Sequence, residues 1–401
     1  MSRMPVIVAT SAVFAFNIGG VVAQERDERP FWRPVVMGTF GMVAAEHPLE
    51  AIAGMEILRA GGNAFDAAAA VFYMTTVVEQ HQAGIGGDGF VLAYVAAEDR
   101  VVFINGTGPA PGLATREFYT ELGEIPNAGP LATDVPGAAG GFDLALRQYG
   151  TMEYAQVLAP AIRAARDGHP VDFWASGYHA RAVEKISPYQ SSLSVLMPEG
   201  KPFGAGDVYV QSDLARSLET ISRGGIDVFY RGDLARRISS VYEREGGLLR
   251  YDDLAAYHAE ETSPISTTYA GLDVYQSAPN SQGIVMLMAL NILEGFDLVE
   301  MGHNSADYVH VVTESMKLAF ADRNRYVADP KFADVPTDEL LSKDYAAKRR
   351  ALIRMDRAMT VAPVGDPRRG RAVADGAAAE YQAESQPVER LDAAPEESGE
   401  T

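Results

Sequence analysis

Gly61-Gly62-Asn63-Ala64-Phe65-Asp66-Ala67-Ala68 reads as the end of one helix and the start of another. Paired glycines tolerate the positive φ that a helix C-cap demands. Asn63 is a strong N-cap, and Asp66 at the third helical position puts an acid against the positive end of the dipole. The run Ala67 to Val78 that follows is apolar almost all round, so this helix belongs in a core. Upstream, His47-Pro48 turns the chain into a helix whose apolar positions Leu49, Ile52, Ala53, Met55 and Leu58 recur at helical spacing. Val35 to Ala45, β-branched and punctuated by glycine, is expected as a first strand. Downstream, the glycine cluster Gly84, Gly86, Gly87 and Gly89 leads into two strands of a hairpin, Phe90 to Val95 and Arg100 to Ile104.

From Thr133-Asp134-Val135-Pro136-Gly137 onward the pattern turns helical, with helices expected over Gly141–Tyr149, Tyr154–Asp167, Asp213–Ser222, Gly232–Glu245 and Asp252–His258. Tyr269 to Ser277 reads as a strand, and Pro279-Asn280-Ser281-Gln282-Gly283 opens an apolar helix from Ile284 to Leu293. Ser305 caps a long helix to about Tyr326, with Val309, Val312, Met316, Ala319 and Phe320 on one face, and Asp329-Pro330 stops it. Beyond Ala358 the periodicity fades into proline, arginine, alanine and acidic residues. That segment, 358–400, is expected as a flexible acidic linker after a folded α/β region over 33–357.

The composition, 47% hydrophobic and 22% charged, gives enough apolar material for a sizeable core. With 54 acids against 34 bases the net charge is −20, a field that repels phosphate backbones and argues against a nucleic-acid partner. No cysteine is present, which removes disulfides and sulfur-ligated metals. Residues 1–23 carry Arg3, the apolar run Met4 to Val22 and the small residues Val21 and Ala23 before Gln24-Glu25-Arg26-Asp27. They read as a signal peptide, and export to the periplasm or medium follows. The other reading is a start codon set too far upstream of a cytoplasmic protein. No later stretch approaches the ~18 continuous apolar residues of a spanning helix.

Several motifs fail on context. Gly84-Ile85-Gly86-Gly87-Asp88-Gly89 matches a dinucleotide fingerprint letter for letter, but it follows a helix and precedes a strand, the reverse of the order that fingerprint needs. No phosphate-binding loop, G-x-S-x-G elbow or H-E-x-x-H pair occurs, and the seven histidines are scattered, so no metal site is expected. Asp252-Asp253 sits where a helix cap is the simpler reading than acid/base work.

These residues alone give only a protein of mixed α and β. The order of its short motifs adds more. Gly61 to Ala68, the glycine turn Gly84 to Phe90, Thr133 to Gly137, Tyr149-Gly150-Thr151-Met152, Leu158-Ala159-Pro160-Ala161, Ala165-Arg166-Asp167-Gly168, Gly246-Gly247-Leu248, Asp252 to Tyr257 and Ala321-Asp322-Arg323 closely resemble, collinearly, the large subunit of γ-glutamyltransferases. The resemblance implies an α+β Ntn-hydrolase fold, an αββα sandwich in which this chain supplies the large-subunit part and the strands of a small subunit complete it. It also implies a precursor that cuts itself before a threonine. Glu397-Ser398-Gly399-Glu400-Thr401 is similar to that junction, which places the catalytic nucleophile at Thr401. A free α-amino group has a pKa near 7.7–8.0 and can act as base for its own hydroxyl, so no histidine and no cofactor are required. Family members carry their oxyanion-hole glycines after this threonine, so the 401 residues alone are expected to be inert, and an apolar sheet face is expected where the small subunit packs.

One departure concerns the substrate. γ-Glutamyl-specific members hold the donor carboxylate with an arginine in the stretch matching Asn105-Gly106-Thr107-Gly108-Pro109-Ala110-Pro111, and here Thr107 takes its place. A hydroxyl lacks the charge and the fork, a loss of about 1.5–3 kcal/mol. Arg116 is too far along to be the expected substitute. Thr107 therefore becomes a substrate-pocket residue for a small-molecule amide whose acyl group is not γ-glutamyl. Glutathione hydrolysis or γ-glutamyl transfer is the alternative, and a non-catalytic structural or binding subunit is a second one.

Overall fold

Asn63 makes the cap that its position demands: its Oδ1 accepts the N–H groups of Phe65 and Asp66 at 2.8 and 3.1 Å, while Asp66 reaches back to the Asn63 N–H at 2.8 Å. In the computed structural model, which describes residues 36–374, this cap opens α2 (Ala64–Val78) directly after α1 (Pro48–Arg59). Gly61, at φ +98°, makes the left-handed turn between them. The hairpin β1 (Gly89–Val95) and β2 (Arg100–Gly106) follows, then α3 (Arg116–Leu122), α4 (Ala138–Tyr149) and α5 (Tyr154–Asp167). Next come β3 (His169–Pro170), α6 (Phe173–Ile186), α7 (Gln190–Leu196) and β4 (Val208–Tyr209). The helices α8 (Ser212–Gly224), α9 (Asp227–Tyr230), α10 (Asp233–Arg244) and α11 (Tyr251–Ala256) lead to β5 (Glu260–Thr262), β6 (Ile265–Tyr269) and β7 (Leu272–Gln276). The chain closes with α12 (Gly283–Leu293), α13 (Leu298–Met301), α14 (Ala306–Tyr326), α15 (Thr337–Leu340) and α16 (Lys343–Arg350).

Residues 43–374 belong to one compact unit, while residues 36–42 group separately and expose Val36, Met37 and Phe40. α2 is buried along its length and packs against α1, α4 and α5, with Tyr73, Ala69, Ala70 and Val77 at 0% exposure. A second core forms where α12 meets α14 and α16, around Ile284, Met288, Ala319 and Tyr345. The main sheet runs β1-β2-β5, antiparallel throughout, from Gly89 opposite Gly106 to Val95 opposite Arg100. α4 covers one face of it. On the other face Phe90, Leu92 and Tyr94 stay exposed, and β1 is an edge without a partner among the described residues.

The two stretches Gly61–Ala68 and Tyr149–Met152 prove to be one joint. The Asp66 carboxylate, buried at 0% exposure, accepts the Thr151 hydroxyl at 2.7 Å, the Thr151 N–H at 2.9 Å and the Met152 N–H at 3.1 Å. The Asn63 amide donates to the Tyr149 carbonyl at 2.5 Å, and Phe65 stacks on the Tyr149 ring at 4.8 Å. The N-terminus of α2 is thereby fastened to the turn between α4 and α5.

Four expectations need correction. No strand forms over residues 36–45: the chain bends at Thr39-Phe40, between Gly38 and Gly41, and no described strand pairs with it. The strand expected over Tyr269–Ser277 is the second half of a hairpin, because Ala270 and Gly271, at φ +49° and +81°, form a tight turn between β6 and β7. The buried face of α1 is Ala53, Gly54 and Ile57, with Ile52 exposed, since α2 crosses so closely that Val71 would touch a Cβ on Gly54. α14 likewise buries Val311, Leu318 and the polar residues Glu314, Ser315 and Asp322, leaving Val309 and Phe320 exposed.

Those polar residues hold down the start of the segment expected as a linker. Arg349, 1% exposed, pairs with Asp322 at 3.0 Å and donates to the carbonyls of Leu318, Pro363 and Ala372. Asp322 also accepts the Gly365 N–H at 2.8 Å, and Glu314 accepts the Met359 N–H at 2.9 Å. Residues 358–374 are therefore docked on α14 and α16 by hydrogen bonds that periodicity cannot reveal. Residues 1–23, expected as a signal peptide, and the rest of the segment expected as a linker lie outside the described residues.

Candidate active site

Three of the quoted stretches converge beyond the end of β2. The Gly87 carbonyl accepts the N–H groups of Gly137 and Ala138 at 3.1 and 2.9 Å, so the N-terminus of α4 is already filled by a protein oxygen. The glycine turn thus serves as a support for α4 and not as a phosphate cradle. The Val135 N–H donates to the Pro109 carbonyl at 3.0 Å, which draws the segment after β2 against the 133–137 turn. The approach is so close that a Cβ at Gly108 would fall on the Val135 carbonyl. Two buried phenols finish the clamp. Tyr230 accepts the Gly140 N–H at 3.0 Å and donates to the Pro136 carbonyl at 2.9 Å, and Tyr257 donates to the Gly137 carbonyl at 3.1 Å.

Thr107 sits at this junction, half-buried. Its hydroxyl donates to Asn105 Oδ1 at 2.7 Å and accepts from Asn280 Nδ2 at 3.1 Å, and its N–H also reaches Asn105 Oδ1, at 3.1 Å. The group around this position is a neutral trio of one hydroxyl and two amides. Arg116 lies exposed in the first turn of α3. Thr401 lies outside the described residues.

Charge enters through carboxylates. Asp88 accepts the Gly108 N–H at 3.0 Å. The residue keeps exposed surface, yet desolvation of its carboxyl, followed by the hydrogen bond to and charge of Asp134, pushes it up to about 7. Asp253 bridges the site to α11, accepting the Gly112 N–H at 2.9 Å and the Arg250 N–H at 2.8 Å, the latter as a helix cap. Among the described residues no set of three His, Asp or Glu side chains is arranged to hold a metal ion.

The sequence pointed to Thr107 but not to Asn280, Tyr230 or Tyr257. Asn280 reads as part of a turn before α12, and only the fold brings it to a position 173 residues away. Tyr257 closes the quoted stretch Asp252 to Tyr257, but nothing local gives either tyrosine this role, because their partners are backbone groups on another element.

The Gamma-glutamyltranspeptidase family model matches residues 51–392. Among curated proteins the chain is similar to the glutathione hydrolase-like YwrD proenzyme of Bacillus subtilis, 39% identical over 78% of this chain and 59% of that protein. It is also similar to the acylase ACY 1 proenzyme of Pseudomonas sp. strain SE83, 40% identical over 80% of this chain and 60% of that one. The chain thus spans less than two thirds of the length of either relative. Among solved structures, the γ-glutamyltranspeptidase of Helicobacter pylori superposes with a TM-score of 0.79 at 30% identity, covering 88% of this chain and 100% of that chain. The mixed α and β architecture is that of these neighbours, which are Ntn hydrolases.

Proposed function

The chain belongs to the γ-glutamyltranspeptidase family, and on that premise we propose that it is the large-subunit part of an amide hydrolase or acyltransferase precursor whose nucleophile is Thr401. In this reading, self-cleavage before Thr401 frees its α-amine. The amine takes the hydroxyl proton as Oγ attacks the substrate carbonyl, then passes that proton to the departing amine while the acyl group remains as a threonine ester. Water or an acceptor amine then releases the acyl group. No cofactor takes part. Export to the periplasm or medium follows from residues 1–23.

The observation that carries the substrate assignment is the neutral setting of Thr107, whose hydroxyl bonds Asn105 and Asn280. A pocket wall of hydroxyl and amide suits an acyl group without an α-carboxylate, and the likeness to an acylase proenzyme supports this. The likeness to a glutathione hydrolase-like proenzyme keeps γ-glutamyl hydrolysis as the second reading. The small subunit of the same precursor is the partner. The unpaired edge of β1 and the exposed Phe90, Leu92 and Tyr94 support a docking surface for its strands. The present 401 residues alone are inert in this reading, a proposal supported by their covering 59% and 60% of the relatives' lengths.

The test is to express the full precursor reading frame and compare butyryl, glutaryl and γ-glutamyl p-nitroanilides. Faster turnover of the butyryl compound, abolished together with processing in Thr401→Ala, is the expected result. Unimpaired processing in that variant overturns the nucleophile assignment, and preference for the γ-glutamyl compound overturns the substrate assignment. Turnover by the 401-residue chain overturns its inertness.

A further inference from the structure

A cavity of about 400 Å³ lies between the C-terminal end of α2 and the outer face of α6, on a different set of elements from the Thr107 junction. Arg181 and Lys185 line it, one helical turn apart on α6. Like charges at this spacing repel and destabilise a helix unless something offsets them. Neither side chain forms an ion pair among the described residues, although the chain carries 54 acids against 34 bases. No carboxylate lines the cavity. Asp172, the acid whose charge acts on the nearby histidines, is engaged at the start of α6 by the Ala175 N–H at 2.7 Å and by His47 at 3.5 Å.

The remaining walls are specific. The Tyr178 ring stacks with the His81 ring at 4.7 Å and lies under the Arg181 guanidinium at 4.6 Å, which holds Arg181 over the aromatic face. His179, on the cavity wall and only 4% exposed, has one ring nitrogen 2.9 Å from Gln80 Nε2, while its Nδ1 has no partner. If Gln80 donates there, Nδ1 carries the proton and is an unanswered buried donor. His81 Nδ1 is also buried without a partner, and burial lowers the proton affinity of both rings. Ala182, Ile186 and Leu196 add an apolar part to the lining.

We infer that this cavity is a binding site for a short aliphatic dicarboxylate, with Arg181 and Lys185 each taking one carboxylate and the methylene body lying on Ile186 and Leu196. The paired cations answer two negative charges, and the apolar lining answers the methylene body. The cavity shares no lining residue with the Thr107 junction.

Titration calorimetry on the full chain at constant ionic strength tests it, with succinate, its neutral diamide succinamide, and inorganic phosphate as probes. One saturating succinate site of about millimolar affinity or tighter is expected, with none for succinamide. The double variant Arg181→Gln, Lys185→Gln should weaken succinate binding by at least about tenfold, and Arg181→Lys should keep most of it. Lack of saturable succinate binding, equal binding of succinamide, or undiminished binding by the double variant would overturn the proposal. Phosphate binding in place of succinate would overturn the ligand class.

Discussion

Replacing Asp66 by Asn removes one negative charge from a site where four donors converge: Asn63 N–H, Thr151 N–H, Thr151 O–H and Met152 N–H. An amide retains a single oxygen. Its best rotamer keeps the Oδ2 bonds to Asn63 and the Thr151 hydroxyl, and turns an NH2 group toward the Met152 N–H, whose acceptor is Oδ1. That places donor against donor, and leaving one such buried group unsatisfied costs about 1–3 kcal/mol. The surviving bonds lose the charge that made them roughly twice as strong as neutral ones. Together these give a loss of about 3–5 kcal/mol for Asp66→Asn, measured by urea unfolding at neutral pH. Asn63→Ala removes the cap and should cost about 1 kcal/mol by itself. Because both residues hold the same joint, the double variant should cost less than the sum of the two. A loss under about 1 kcal/mol for Asp66→Asn would refute the view that this carboxylate fastens α2 to the turn before α5.

Thr107→Arg, in the processed enzyme, should improve the KM for γ-glutamyl p-nitroanilide by about ten- to a hundredfold while leaving that for the butyryl compound nearly unchanged. An equal effect on both would exclude a specific carboxylate contact. Arg349→Met leaves the buried Asp322 carboxylate uncompensated and should destabilise the chain by about 3–5 kcal/mol, with faster proteolysis within 358–374. A variant as stable and as protease-resistant as the parent would show that the clamp is dispensable. Glu79 stands among Glu50, Glu46 and Asp172, and burial with their repulsion raises its carboxyl from 4.5 to about 7. Its contribution to stability is full below the unfolded value and is lost as pH rises through about 7, so Glu79→Gln should gain on the parent from pH 5 to pH 8. A difference in midpoint that does not change with pH would contradict this.

What the sequence disclosed divides along the range of the interaction. Caps and breakers act over three or four residues, so Asn63, Asp66, Gly61 and Ser305 announced their helices, and the hairpin of β1 and β2 was legible from its alternation. α6 and α7 were not, because α6 buries only Ala175 and His179 and α7 buries nothing, which leaves no apolar stripe to detect. α16, Lys343-Asp344-Tyr345-Ala346-Ala347-Lys348-Arg349-Arg350, was not singled out, yet Arg349 is among the most buried side chains of the described residues. Its partner Asp322 and the carbonyls it binds are supplied by other segments, so no local pattern marks it. The same limit applies at the Thr107 junction. Thr107 and its near neighbour Asn105 were visible in one quoted stretch, whereas Asn280, which completes the neutral setting, was brought there only by the fold.

The backbone frame at that junction also bears on redesign. Since the Val135 carbonyl occupies the space where a side chain at Gly108 would begin, the frame offers no room for adjustment at that point. Under the proposed function, a directed-evolution campaign to retune acyl preference should therefore concentrate its diversity on residues 105, 107 and 280, and libraries that randomise Gly108 should return mostly misfolded protein.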